Sequence, residues 1–247
     1  TDNTSISCET IDYGPCAFMD SYEANKVFSS IDQYGRYAFS NQSRVAPWNL
    51  SRLAETILFL ISKNTSDAIK VVEEILFDFD KNFNNSLDIL ISHKLGFKNN
   101  SKKTSSLYSE LLNLMEAGKA DFTGTFKSLK ATLIKEDDTI FLNNFRNSDE
   151  ETQHAVSQWL GNWRKLLQEN SKSKTEAIEL LSSSNPEFIM RNHLVEQAIG
   201  KATKGDFSDF EILCDLLITP FEVKENHETF YKAPTDSEVV HQTFCGT

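Results

Sequence analysis

No stretch of this chain approaches the roughly 18 consecutive apolar residues that a membrane-spanning helix requires. The longest apolar run, Ile57 to Ile61, lies inside an amphipathic pattern, so no membrane partner is expected. Positive charge is also short: 25 Lys and Arg stand against 36 Asp and Glu, a formal net charge of −11. Binding a nucleic-acid backbone needs clustered cations, so no nucleic-acid partner is expected. Four cysteines, Cys8, Cys16, Cys214 and Cys245, form no CxxC pair and have no His partners at zinc-site spacing. They read as free thiols of a reducing compartment. Also missing are a repeat of 20 to 50 residues, an initiator Met and a basic-then-apolar leader, so the chain reads as a fragment of a longer protein.

What is present is a chain of 247 residues, 39% hydrophobic, with enough apolar content for a substantial core. Ile6, Thr10 and Ile11 flank Ser7-Cys8-Glu9, and the segment ends in Asp12-Tyr13-Gly14-Pro15. That pattern predicts a short β-hairpin over 1–15. Residues 20–47 are rich in Ser, Asn, Gln and Tyr, with Gly35 and Pro47 as breakers, and predict a long ordered loop.

After Pro47 the period becomes helical. Leu50, Leu53, Ala54, Ile57, Leu60 and Ile61 form one apolar face, which predicts a buried helix. The same spacing recurs through Ile69, Val72, Ile75, Leu76, Phe79 and Phe83, and again through Val156, Trp159, Leu160, Trp163 and Leu167. Further helices are expected near 105–117, 123–134, 186–202 and 207–218, with polar surface connections at 98–106 and 170–174. The expected fold is one mainly α domain opened by a short N-terminal β-hairpin. Trp48, Trp159 and Trp163 are expected in the core, and Asp206 as a helix N-cap.

The chemistry-bearing segment is Asp2-Asn3, eight residues, then Asp12-Tyr13-Gly14. Phosphoryl and nucleotidyl transfer place carboxylates and an amide around hydrated magnesium, a hard cation that takes oxygen ligands. One carboxylate beside a hairpin turn can accept a hydroxyl proton, while the neighbouring amide and a carboxylate across the hairpin hold the metal. Asp and Asn are also common in turns for purely local reasons. The layout is similar to protein kinases, where a catalytic-loop Asp and Asn precede a short β-pair and Asp-Phe-Gly, with Tyr13 here in place of Phe. His193 and Glu196 could share a metal, but no third ligand is evident and packing explains them better. Arg191 and Asn192 read as a brace for the catalytic segment rather than as catalytic groups.

Longer matches name a family. Asp-Tyr-Gly-Pro-Cys-Ala-Phe-Met-Asp at 12–20, Val-Phe-Ser-Ser-Ile-Asp at 27–32 and Gly-Arg-Tyr-Ala-Phe-Ser-Asn-Gln at 35–42 resemble the SelO (YdiU) family of protein adenylyltransferases. The resemblance continues through Val-Ala-Pro-Trp-Asn-Leu-Ser-Arg-Leu-Ala-Glu at 45–55, Asp-Phe-Thr-Gly-Thr-Phe at 121–126 and Asn-Pro-Glu-Phe-Ile-Met-Arg-Asn-His at 185–193.

That resemblance implies the C-terminal, helical part of a protein-kinase-like α+β fold. It implies transfer of AMP from ATP to Ser, Thr or Tyr hydroxyls of protein substrates, dependent on magnesium, with manganese as an alternative. Asp2 would be the catalytic base, Asn3 a metal ligand, and Asp12 a metal ligand close to the nucleotide phosphates. The family's Gly-rich loop and phosphate-binding Lys and Arg lie upstream of this segment, so the chain alone is expected to be inactive. A kinase-type phosphotransferase and a non-catalytic, pseudokinase-like binding module are the alternatives. A reactive Cys near the C-terminus is common in the family, and Cys245 could pair with Cys8 or Cys16. Bacterial cytoplasm is the favoured location, with mitochondria if the source is eukaryotic. Protein substrates and oligomeric state stay open.

Overall fold

A computed structural model describes residues 5, 7, 16–170 and 173–243. Apart from Ser5 and Ser7, the expected hairpin over 1–15, with Asp2, Asn3, Asp12 and Cys8, lies outside the described residues, as does Cys245. The rest is mainly helical, as expected. Among the described residues the β-structure consists of two isolated antiparallel bridges, Ser21 with Asp121 and Ala120 with Phe145.

The core gathers around α3 (Lys102–Ala117), α4 (Phe122–Lys135) and, after the one-turn α5 (Thr139–Leu142), α6 (Glu150–Asn170). Leu111 and Met115 of α3, Phe126 and Leu129 of α4, and Trp159, Leu160 and Trp163 of α6 are buried together. The two tryptophans satisfy their indole N–H groups internally: Trp159 donates to the Leu107 carbonyl at 2.8 Å and Trp163 to the Leu95 carbonyl at 2.9 Å. Their rings stack with centroids 6.1 Å apart. A smaller cluster joins α8 (Asn192–Ala202) to α9 (Ser208–Ile218) through Phe188, Leu194, Leu213 and Leu216.

Helix starts follow local chemistry. Ser101 accepts a hydrogen bond from the Thr104 N–H, and α3 therefore begins inside the expected 98–106 connection. Asp121 likewise caps α4. Ser173 caps α7 (Lys174–Ser184), a helix the periodicity did not reveal because only Ala177 and Leu181 of its short stretch are buried. Asp206 accepts from the Ser208 N–H at 3.0 Å, one position ahead of the N-cap residue Phe207.

Three expectations are corrected. The first long helix, α1 (Gln42–Ile61), starts before Pro47 and runs through it. Pro47 removes one hydrogen bond near the helix start, where few intrahelical bonds are yet at stake. Neither α1 nor α2 (Thr65–Lys94) is a buried helix: Leu60 is 71% exposed, Ile75 65% and Phe77 85%. The two helices face each other and α2 also meets α3 and α7, yet these apolar side chains stay exposed. Trp48 is accordingly on the surface, with the Arg36 guanidinium 4.3 Å from its ring centroid. Finally, 186–191 is not helical. Glu187 and Phe188 both donate their N–H groups to the Pro220 carbonyl, and Arg191 is extended as the residue ahead of α8.

Candidate functional site

The Asp-Phe-Thr-Gly-Thr-Phe segment explains its own composition. Asp121 sits at the N-terminus of α4, and its Oδ1 accepts the Gly124 N–H at 2.6 Å. A Cβ on Gly124 would come within 2.6 Å of that oxygen and 2.3 Å of Asn144 Oδ1, so only glycine fits. Asp121 thus adds a carboxylate to the positive end of the helix, yet keeps both oxygens available to a second partner.

That partner is Arg191. Its guanidinium donates to Asp121 Oδ2 at 2.7 Å and Oδ1 at 2.9 Å, a two-pronged pairing that the planar fork permits. One of the same nitrogens also donates to Asp20 Oδ1 at 2.6 Å. Burial works against the Arg191 charge, but the hydrogen bonds and charges of Asp121 and Asp20 more than offset it and raise its pKa. A buried cation between two carboxylates therefore locks residue 20 to the start of α4.

Asn192 completes the grip. Its Oδ1 accepts the Phe18 N–H at 2.8 Å, and its Nδ2 donates to the Cys16 carbonyl at 2.7 Å. Backbone bonds continue the seam: Phe122 N–H to the Asp20 carbonyl at 2.7 Å, and Tyr22 N–H to the Ala120 carbonyl at 2.9 Å. The residues immediately after Asp12-Tyr13-Gly14 are in this way fixed by side chains about 175 residues later in the chain. Arg191 and Asn192 thus brace residues 16–20, while the catalytic segment they are expected to brace lies outside the described residues.

His193 follows on the same stretch, buried, with no partner for its Nδ1 among the described residues. Burial lowers its pKa, against the opposing pull of Asp20 and Glu238. Glu196 is exposed, and among the described residues no three His, Cys, Asp or Glu side chains converge as a metal site. The magnesium expectation therefore rests on Asp2, Asn3 and Asp12.

A cleft of about 650 Å³ opens beside the braced segment, lined among others by Asp20, Glu23, Lys26, Arg146 and Asn192. The C-terminal segment closes one side of it. Ser30 N–H donates to the Thr243 carbonyl at 2.9 Å, and Thr243 Oγ1 donates to the Phe28 carbonyl at 2.6 Å. Arg146 holds Asp236 and the Pro234 carbonyl in the same segment.

Comparison with known proteins places the chain in a family. The family model for protein adenylyltransferase SelO matches residues 1–218. The chain belongs to the SelO family. The protein nucleotidyltransferase YdiU of Rhizobium meliloti (strain 1021) is 43% identical over all of this chain, which covers 50% of that relative. Relatives of the same name from Clostridium botulinum (strain 657 / Type Ba4) and Bacillus cereus (strain AH187) are 41% and 38% identical, again over the whole chain and 48% and 49% of their own lengths. This SelO chain therefore spans about half the length of these relatives.

Sequence reasoning did not single out Asp20, Asp121 or Gly124 individually, although all three sit in the quoted segments. An Asp directly before an apolar helical period, with Gly three positions on, is a signal of the α4 cap. The pairing of that cap with Arg191 spans 70 residues and leaves no local trace.

Proposed function

We propose that the protein to which this chain corresponds transfers AMP from ATP to Ser, Thr or Tyr hydroxyls of other proteins. The observation that carries the reading is the family match across the segment containing Asp2, Asn3 and Asp12, joined to a braced backbone just beyond it. The substrate oxygen attacks the α-phosphorus, the bond from that phosphorus to the oxygen bridging to the β-phosphate breaks, and pyrophosphate leaves. Asp2 takes the hydroxyl proton. Asn3 and Asp12 offer the amide and carboxylate oxygens that suit a magnesium ion, so the donor set fits one. Bound magnesium would neutralise phosphate charge.

Arg191, Asp121 and Asn192 act one step back. They hold the chain after Asp12 in one conformation, which supports positioning of the reacting groups. These 247 residues alone are expected to be inactive, since isolated carboxylates cannot fix a triphosphate in line for attack. The relatives' other half would supply that grip. A kinase-like fold and a cytoplasmic location belong to the same proposal; for the described residues, no helix is long and apolar enough to cross a membrane.

Incubation of the full-length protein with ATP labelled at the α- or the γ-phosphate tests the reading. Label arriving on protein from the α-position alone supports AMP transfer, whereas γ-label means a kinase.

A further inference from the structure

The α1–α2 hairpin departs furthest from ordinary burial. Across its two helices only Asn49, Ala68, Ile91 and Ser92 are buried. Three of those four are small or polar, and two lie at the far end of α2. Between them, Phe59 and Leu60 of α1 and Ile69, Val71, Ile75 and Phe77 of α2 stand in solvent. Other apolar side chains of α2 are incompletely covered too: Phe79 and Phe83 stack on each other with centroids 6.0 Å apart, yet both are only half-buried. Amphipathic helices bury their apolar stripe against another layer, and large apolar side chains left exposed in such number mark a contact site.

We propose that this hairpin is the docking surface for the part of the full-length polypeptide that the relatives possess and this chain does not match. The proposal rests on surface and length and does not depend on the AMP-transfer reading. Length is the first reason for choosing this occupant. The chain covers only 48–50% of relatives that match it from end to end, so a body of comparable size remains to be placed against it.

Geometry is the second. Val71 and Ile75 are one turn apart on α2, whereas Phe77 lies roughly 160° around the helix from Ile75, at 3.6 residues per turn. Apolar groups on opposite sides of one helix need cover from more than one direction. A two-fold contact with a second copy uses one self-complementary patch and would cover one side. A tethered domain can wrap both, and its high effective concentration makes each contact easier to form.

Charge is the third. Glu73, Glu74, Asp78 and Asp80 occupy the middle of α2, with only Lys70 and Lys81 flanking them. Helices that lie on anionic lipid carry Lys and Arg on the polar face, so this hairpin is the wrong sign for a membrane surface.

Amide hydrogen exchange over 57–80, compared between the full-length protein and this chain, tests the proposal together with Phe77→Asp and Ile75→Asp in both forms. Docking predicts exchange at least about tenfold slower in the full-length protein. Each Asp variant should lower the full-length melting temperature by several degrees while leaving this chain within about 1 °C, as for a surface change. Equal exchange in the two forms overturns the proposal, as does equal destabilisation by the variants. Slowing in this chain alone that grows with concentration and is abolished by Phe77→Asp would assign the surface to a second copy. Slowing only with phosphatidylserine vesicles would assign it to lipid. Either result also overturns it.

Discussion

Arg191 joins Asp20 and Asp121, two carboxylates 101 positions apart in the chain, through one buried guanidinium at 2.6 to 2.9 Å. Removing one member of a buried charged group leaves the others uncompensated, which typically costs about 3–5 kcal/mol. Arg191→Met should therefore lower the unfolding free energy by roughly that amount in urea titrations. Arg191→Lys keeps the charge but loses the fork, and should fall between the two.

Gly124→Ala should destabilise although alanine is the better helix former by about 1 kcal/mol. The new Cβ displaces the Asp121 carboxylate and Asn144. Overpacking of this kind costs about 1–3 kcal/mol, and it also disturbs the Arg191 pairing. A double-mutant cycle with Arg191→Met should show coupling of at least about 0.5 kcal/mol, since both changes strike the same group.

Asn192→Leu removes the partners of the Phe18 N–H and the Cys16 carbonyl. Each stranded backbone group costs about 1–3 kcal/mol where water cannot replace the bond. In the full-length enzyme the same variant should lower kcat by about tenfold or more with a smaller change in KM for ATP, because it loosens positioning rather than binding.

Lys94 gives a pH signature. Its amine donates to Asn185 Oδ1 at 3.0 Å and lies 4.3 Å from the Phe126 ring centroid, and burial lowers its pKa to about 8. Between that value and the ordinary 10.5 the unfolded chain binds the extra proton, so stability gains from rising pH across this window. Tyr108, pushed up to about 12 chiefly by burial, works in the opposite direction above pH 10. The unfolding free energy of wild type minus that of Lys94→Met should therefore rise from pH 8 to 10.

Much of the fold was legible because its signal is periodic. Trp159, Leu160 and Trp163 fall on one helical face and are the core. The same reasoning located α2 but put α1 in the core, because periodicity reports which face is apolar and not whether anything covers it. It also extended α8 back to Pro186, where the tertiary bonds of Glu187 and Phe188 to Pro220 hold the chain extended. At the site, Arg191 and Asn192 could be read as braces from their setting, but their partners Asp20, Asp121 and Phe18 are fixed by folding over long separations. The roles of Asp2, Asn3 and Asp12 come from resemblance, and they fall outside the described residues.

Label transfer from α-labelled ATP by full-length wild type, Asp2→Ala and Asn192→Leu, with melting temperatures measured in parallel, bears most directly on the central claim. The prediction is that Asp2→Ala abolishes transfer without loss of stability, while Asn192→Leu lowers both. Transfer retained by a folded Asp2→Ala variant would contradict the assignment of the base and, with it, the site described above.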